Sequence, residues 1–155
     1  MVAIAAALLV LTVYRQMRTQ PIQPRPLIVP PAILVVFGFY TIQGHPPNSA
    51  AAGVALGSSA ITALAFGVAR GVTTTIWLDH GGAMRKGTTT TLMLWIAAIA
   101  VRIAIGFVAR HSGVPYNLTF SEIPLFLGLT LAAQNVVIWL RGTTITAPET
   151  RLTNE

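Results

Sequence analysis

Long runs of apolar residues without a charged side chain constrain this chain more than any other feature. Residues 50–69 form twenty consecutive positions without Asp, Glu, Lys or Arg, and residues 123–140 form eighteen. A helix that crosses the hydrocarbon core of a bilayer needs about 20 largely apolar residues. Charged residues make up only 9% of the chain, whereas soluble domains carry about 25%. The sequence therefore predicts an integral membrane protein.

Five segments are predicted as spanning helices of an all-α transmembrane helix bundle, a single unit over residues 1–142. Their approximate bounds are 1–14, 27–43, 50–78, 88–109 and 122–140. The first is shorter than a span requires, so an interfacial or partly inserted helix is the alternative there. We do not expect a cleaved signal peptide, because no basic residue precedes the first apolar run. Residues 143–155 are predicted as a polar, disordered cytoplasmic tail.

The basic residues outside the spans fall almost entirely on one side of the membrane. If all five segments cross, Arg110 alone lies on one side and seven basic residues lie on the other. These seven are Arg15, Arg18, Arg25, Arg85, Lys86, Arg141 and Arg151. Because basic loops stay on the cytoplasmic side, we expect the N-terminus outside and the C-terminus inside, in the cytoplasmic membrane. The net charge of +6 then favours anionic lipid headgroups as partners, and nucleic acid is not expected.

Two arginines, Arg70 and Arg102, fall inside predicted spans. Arg102 lies about 20 Å along its helix from Thr89, close to the middle of the bilayer. A guanidinium in lipid costs ~2.5–3.5 kcal/mol on insertion scales, so each arginine should face the protein interior and have a partner. No span holds an internal carboxylate, since Asp79 and Glu122 lie at segment ends.

Three interpretations of these arginines remain open. Each can bond backbone carbonyls, Gln134, Asn135 or Glu122, or extend towards a headgroup. Alternatively, Arg70 and Arg102 form an intramembrane anion site, because a planar guanidinium grips phosphate or carboxylate through two hydrogen bonds. A contact between subunits is the third. The predicted ligand-binding set is therefore Arg70, Arg102, Gln134 and Asn135, with the two amides as natural partners of Arg102.

The predicted inner loop at residues 79–88 is the densest polar stretch. Arg85 and Lys86 lie just before the fourth span, and Thr88 is a candidate cap of its helix. A helix N-terminus with two nearby cations attracts anions, so these three residues are predicted to bind lipid headgroups. The spacing does not match a Walker A loop, and no nucleotide site is predicted.

Glycines spaced four apart indicate close helix packing. Gly53 and Gly57 show this spacing, as do Gly67 and Gly71. Such pairs let two helix backbones approach in a membrane. The contact is predicted either inside the subunit or across a homodimer.

Several kinds of chemistry are excluded or disfavoured. The chain has no cysteine, which excludes disulfides, cysteine-ligated zinc and thiol redox chemistry. The spans carry no carboxylate pair and no Ser-His-Asp set, which argues against membrane proteases, prenyltransferases and di-metal oxidases. His45, His80 and His111 all lie outside the apolar spans, which disfavours haem ligation by two histidines in the bundle, although an outer site joining His45 and His111 stays open. No cofactor or metal is predicted, apart from haem as a ligand bound through its carboxylates.

The order of several short motifs resembles the CcdC-type membrane proteins. The motifs are RPLIVPP at 25–31 before a helix with Gly38, then Gly67 and Arg70, then a loop with Asp79, Gly81, Arg85 and Lys86, then Arg102-Ile103-Ala104, and last Trp139-Leu140-Arg141. The resemblance covers residues 15 to 141. It implies a small polytopic protein of a family named for its neighbourhood with cytochrome c biogenesis genes. Because that family has no established activity, no catalytic residue carries over. Without cysteine, a cytochrome-related role would be non-redox. The inner loop departs from the family in being glycine-rich and lacking an aromatic residue.

These observations favour a non-enzymatic accessory or scaffold protein that binds a membrane protein partner. The alternative is a binder or carrier of an anionic amphiphile, such as a lipid phosphate, an isoprenoid pyrophosphate or haem, held by Arg70 and Arg102. A third alternative, an enzyme acting on a lipid-like substrate, would need a proton-transfer group that the spans do not show.

Overall fold

The protein is mostly helical, and the computed structural model describes residues 18–79 and 82–146. Its elements in chain order are β1 (Gln20–Pro21), α1 (Pro24–Gln43), α2 (Ala50–Thr73), β2 (Thr75–Asp79), β3 (Gly82–Lys86), α3 (Thr89–His111), α4 (Tyr116–Ser121) and α5 (Ile123–Thr146). Four helical segments are long and apolar enough to cross a membrane: α1, α2, α3 and the joined α4 and α5. The predicted segment at 1–14 and residues 147–155 of the predicted tail lie outside the described residues.

Three short strands at one end of the bundle correct the all-α prediction. β2 and β3 pair antiparallel with Trp77 opposite Met84, and β1 pairs with β3 so that Gln20 faces Arg85. The predicted span 50–78 is therefore too long, because α2 ends at Thr73. β-branched and aromatic residues follow that point, and these favour an extended strand over a helix. We call this end of the molecule the sheet end.

The opposite end of the bundle, here the loop end, consists of the connections at residues 44–49 and 112–122. The short helix α4 lies in the second connection and was not predicted. At the sheet end, α5 continues to Thr146, so the first four residues of the predicted polar tail are helical. α5 packs between α1 and α2, and α3 packs against the other side of α2.

Glycines bring α5 close to both of its neighbours. A Cβ placed on Gly128 would lie 2.7 Å from the backbone nitrogen of Val35 in α1. A Cβ placed on Gly67 would lie 2.5 Å from the carbonyl oxygen of Thr130 in α5. Only glycine allows such a close approach.

The four glycines of α2 have different surroundings. Gly67 and Gly71 pack against α5, whereas Cβ atoms on Gly53 and Gly57 would meet nothing within 4 Å. The pair at Gly67 and Gly71 therefore packs inside the subunit, which is one of the two predicted alternatives for these glycines. A homodimer contact through Gly53 and Gly57 stays a prediction.

Pro30 and Pro31 lie inside α1, because the helix begins at Pro24. A proline has no N–H, so the carbonyl four residues earlier loses its helical partner. For Pro31 that carbonyl belongs to Leu27, and it accepts a hydrogen bond from Asn135 Nδ2 at 2.7 Å. Asn135 of α5 thus replaces the bond that Pro31 removes and joins the two helices.

Side chains also satisfy the backbone groups at helix ends. The Thr88 hydroxyl accepts from the Thr91 N–H at 3.2 Å and caps α3. Nη1 of Arg141 donates to the carbonyls of Gly71, Val72 and Thr74 at 2.7, 2.7 and 2.9 Å, at the end of α2. Cations are favourable there, because the last helical carbonyls carry partial negative charge.

Candidate functional site

The two arginines within the spans lie in different places and do not form one anion clamp. An apolar layer of Ala63, Ala98 and Phe126 separates them. The layer lies between the two clusters on each helix. From the loop end to the sheet end, Ala63 lies between Ser59 and Arg70 on α2, Ala98 between Arg102 and Trp95 on α3, and Phe126 between Glu122 and Thr130 on α5. Each arginine therefore has its own surroundings.

Arg102 belongs to a polar cluster near the loop end. Its guanidinium forms an ion pair with the Glu122 carboxylate, and its Nη2 donates to the Thr119 carbonyl at 2.6 Å. The Ser59 hydroxyl of α2 donates to Glu122 Oε1 at 3.1 Å. Glu122 is only 4% exposed, so the pair is largely shielded from solvent. Of the partners considered for Arg102, Glu122 and a backbone carbonyl are the ones present.

Arg70 is fully buried between α2, α3 and α5. Its Nη2 donates to the Thr130 hydroxyl, its Nε donates to the Phe66 carbonyl at 3.3 Å, and its Cζ lies 3.9 Å from the centroid of the Trp95 ring. The stacking on tryptophan is a cation–π contact. The buried Nη1 has no hydrogen-bond partner in the described part of the chain.

The Arg70 side chain runs away from the sheet end, so among the alternatives for Arg70 it bonds a backbone carbonyl and does not extend towards a headgroup at that end. In an α-helix the Cα–Cβ bonds lean towards the N-terminus, and the N-terminus of α2 lies at the loop end. The hydrogen bond to Phe66, four residues earlier, follows from this direction. Arg70 is thus a cation enclosed by protein, and its charge faces an aromatic ring and a hydroxyl.

A second polar site lies at the sheet end, in a partly open cavity between the sheet, the end of α2 and α5, whose empty space of about 230 Å³ includes space open to the surroundings. Two arginines, two amides and a hydroxyl contribute to its lining. The lining residues are Arg18, Arg85, Gln20, Gln134, Thr74, Gly87 and Ile138. The Thr74 hydroxyl already donates to the Arg70 carbonyl at 2.8 Å, so the guanidinium and amide groups are the donors that suit an oxyanion.

Arg85 contributes one of the two cations of the sheet-end cavity. It extends from β3, and its Nη1 donates to Asn135 Oδ1 at 3.4 Å. Burial lowers the pKa of the Arg85 guanidinium from its usual range. Its described partner is therefore a neutral amide oxygen.

The other predicted ligand residues divide between structural contacts and this cavity. Asn135 bonds Leu27 and Arg85, so the expectation that it partners Arg102 is wrong. Gln134 lines the sheet-end cavity and is 2% exposed. Lys86 is exposed next to Arg85.

Thr88, the third predicted headgroup residue, has a hydroxyl that is engaged in structure. The hydroxyl caps α3 and also donates to the Thr73 carbonyl at 3.2 Å.

Sequence reasoning missed the sheet that brings β1 and β3 together, and with it the role of Arg18 and Gln20 in the cavity. It also missed Thr130 and Trp95 as the partners of Arg70. A signal existed for Thr130, since a hydroxyl inside an apolar span is a natural partner for a buried cation. No sequence signal identified the pairing of β1 with β3, because β1 contributes only two residues.

Comparisons of this chain with models of known families, with curated proteins and with solved structures give no match. The resemblance to CcdC-type proteins thus stays a prediction, and the functional argument rests on the geometry.

Proposed function

We propose that this chain is a non-enzymatic, multi-pass protein of the cytoplasmic membrane that binds the anionic headgroup of an amphiphile in its sheet-end cavity. The observation that carries the proposal is the lining of this cavity, to which Arg18, Arg85 and two side-chain amides contribute. Guanidinium groups beside neutral donors suit phosphate or carboxylate oxygens.

The charge balance of the sheet end supports an anionic ligand. Among the described residues, this end carries five basic side chains and the single acid Asp79. The basic side chains are Arg18, Arg25, Arg85, Lys86 and Arg141. The loop end carries Arg110, in the last turn of α3. Under the positive-inside rule, this asymmetry supports a cytoplasmic location of the sheet end.

The position of the cavity supports an amphiphile over a freely soluble anion. The cavity lies where α2 ends and α5 approaches its last turns, at the depth where lipid headgroups meet the ends of spanning helices. Exposed apolar side chains such as Val72 and Trp139 lie on the same two helices near this end. An anionic headgroup in the cavity would leave its chains beside these residues.

Lipid retention tests the proposal. The protein is purified in nanodiscs that contain equal parts of phosphatidylglycerol and phosphatidylcholine, and the retained lipid is measured by native mass spectrometry. We expect preferential retention of phosphatidylglycerol and a loss of about tenfold in Arg85→Gln, because a hydrogen bond to a charged group contributes ~1.5–3 kcal/mol.

Arg25→Gln is the matched control, since it removes the same kind of charge from an exposed position outside the lining of the cavity and should retain the lipid. Equal loss in both variants, or equal retention of both lipids by the wild type, would contradict the proposal. A visible absorption spectrum of the same preparation tests haem carboxylates as the anion, because bound haem gives a Soret band that Arg85→Gln should lose.

A second observation favours the accessory or scaffold role. Gly53 and Gly57 face open space on α2, next to exposed Val54 and Ile61. An unoccupied small-residue face allows another membrane helix to approach. If a partner helix lies there, a single cysteine at Gly57 should cross-link in membranes, and one at Val108 on the exposed face of α3 should not.

A further inference from the structure

We infer a second binding site at the loop end, where the Glu122 carboxylate accepts a hydrogen bond from the hydroxyl headgroup of a neutral amphiphile. This inference does not depend on the sheet-end site, because it rests on other residues at the other end of the bundle. Three observations carry it: the contacts of the carboxylate, the shape of the adjoining cavity and the charge balance.

The contacts of Glu122 leave one carboxylate oxygen for a ligand. Arg102 and Ser59 both bind Oε1. Glu122 is only 4% exposed, and it also lines a cavity between α2 and α5. Because both of these contacts fall on Oε1, Oε2 is the oxygen that we assign to the ligand.

The cavity beside Glu122 is small and otherwise apolar. It is partly open and is lined, besides Glu122 and Ser59, by Leu56, Ala60, Leu125, Phe126 and Leu129. Its empty space of about 190 Å³ includes space open to the surroundings, and the centre of a water-sized group can occupy about 10 Å³ of it. This is room for about one hydroxyl group. Because α2 and α5 both belong to candidate spans, the attached chain would lie in the bilayer along these helices.

The charge balance of the pair selects a neutral headgroup. Arg102 and Glu122 together carry no net charge. A cationic or anionic headgroup would leave an uncompensated charge among apolar side chains, which is costly. A hydroxyl donates one hydrogen bond to a carboxylate oxygen without changing the net charge, and such charge-assisted bonds are strong. Long-chain alcohols and diacylglycerols share this chemistry.

Photolabelling tests this site with two matched probes. One probe is a sixteen-carbon alcohol that carries a diazirine in its chain, and the other is its methyl ether, which cannot donate a hydrogen bond. The protein is labelled in phosphatidylcholine nanodiscs, and the labelled peptides are mapped by mass spectrometry. We expect the alcohol to label the segments around Leu56 and Leu129 about tenfold more than the ether does.

Competition distinguishes the sources of the hydroxyl. Unlabelled hexadecanol and dioctanoylglycerol are each added together with the alcohol probe. The compound that reduces the labelling shows whether the site binds a single-chain alcohol or a diacylglycerol. Equal labelling by the alcohol and the ether in the wild type would overturn the inference. Label spread evenly over the exposed faces of α1 and α3 would do the same.

Two variants keep the test independent of folding. Arg102→Met combined with Glu122→Leu removes both charges together and should abolish the excess labelling by the alcohol. Ala60→Leu fills the cavity without touching the ion pair and should give the same loss. Ser58→Ala is the control, because the Ser58 hydroxyl bonds only the Ala55 carbonyl of its own helix. An unchanged ratio of the two probes in both cavity variants would contradict the site.

Discussion

The guanidinium of Arg102 in α3 and the carboxylate of Glu122 at the start of α5 form a largely buried ion pair. Ser59 of α2 binds the same carboxylate, so three helices meet at one pair of charges. The Thr119 carbonyl accepts a further hydrogen bond from Arg102. The pair explains how a span tolerates an arginine close to the middle of its length.

Removal of one charge of this pair should destabilise the fold more than removal of both. Arg102→Met leaves Glu122 as an unpaired buried carboxylate, and loss of one partner of a buried pair costs ~3–5 kcal/mol. The combined variant Arg102→Met with Glu122→Leu should recover most of that loss, because no uncompensated charge is left. The free energy of unfolding in a single detergent, measured for both single variants and the pair, checks this. Equal losses in the single and combined variants would show that the charges are not coupled.

The close approach of α2 and α5 at Gly67 gives a second prediction. A Cβ on Gly67 would lie 2.5 Å from the Thr130 carbonyl oxygen and 2.8 Å from the Ala133 Cβ, so Gly67→Ala should force the helices apart and lower the unfolding temperature. Gly57→Ala is the matched control in the same helix, because nothing lies within 4 Å of its added Cβ. This control should be neutral or stabilising by up to ~1 kcal/mol, as expected for alanine in place of glycine in a helix. Equal unfolding temperatures of the two variants would be inconsistent with the packing.

The sequence predicted the spanning helices because apolar composition is a local property. Four of the five predicted segments correspond to helices, and the fifth lies outside the described residues. The strands were not predicted, since β1 is a two-residue segment whose pairing with β3 depends on the tertiary fold. The end of α2 was placed too late, because apolar residues such as Trp77 and Leu78 occur in spans and in strands alike.

The site residues show the same division between local and tertiary information. Burial of Arg70 and the need of Arg102 for a partner followed from their position in apolar runs. The identity of their partners could not be predicted from the sequence, because Glu122 lies at a segment end and the contacts of Thr130 depend on how α2 and α5 pack. Asn135 was predicted to bind a ligand, whereas its side chain donates to the Leu27 carbonyl, 108 positions away, and replaces the hydrogen bond that Pro31 removes.

That relation between Pro31 and Asn135 gives a third prediction. Asn135→Ala should cost ~1–3 kcal/mol of unfolding free energy, because it leaves the Leu27 carbonyl without a partner in an apolar environment. In a Pro31→Ala background the helix regains an N–H for this carbonyl, so the same substitution should cost less. A double-mutant cycle from four unfolding curves measures the coupling, expected at ~0.5–3 kcal/mol. A coupling of zero would show that Asn135 does not compensate for the proline.

The orientation of the bundle in the membrane can be measured directly, because the chain contains no cysteine. Single cysteines at Thr19 and Ser112 place one thiol at each end, and both positions are exposed. Neither substitution changes the distribution of charge. If the basic sheet end is cytoplasmic, a membrane-impermeant maleimide added to intact cells should label Ser112→Cys and leave Thr19→Cys unlabelled.

Permeabilised cells provide the control for this labelling, since both thiols should then react to the same extent. Labelling of Thr19→Cys alone in intact cells would show the opposite orientation. In that case the sheet-end cavity would face outwards, and its arginines would meet the anionic headgroups of the outer leaflet. Equal labelling of both positions in intact cells would indicate two orientations in one population, and the charge asymmetry between the ends would then be too weak to fix the topology.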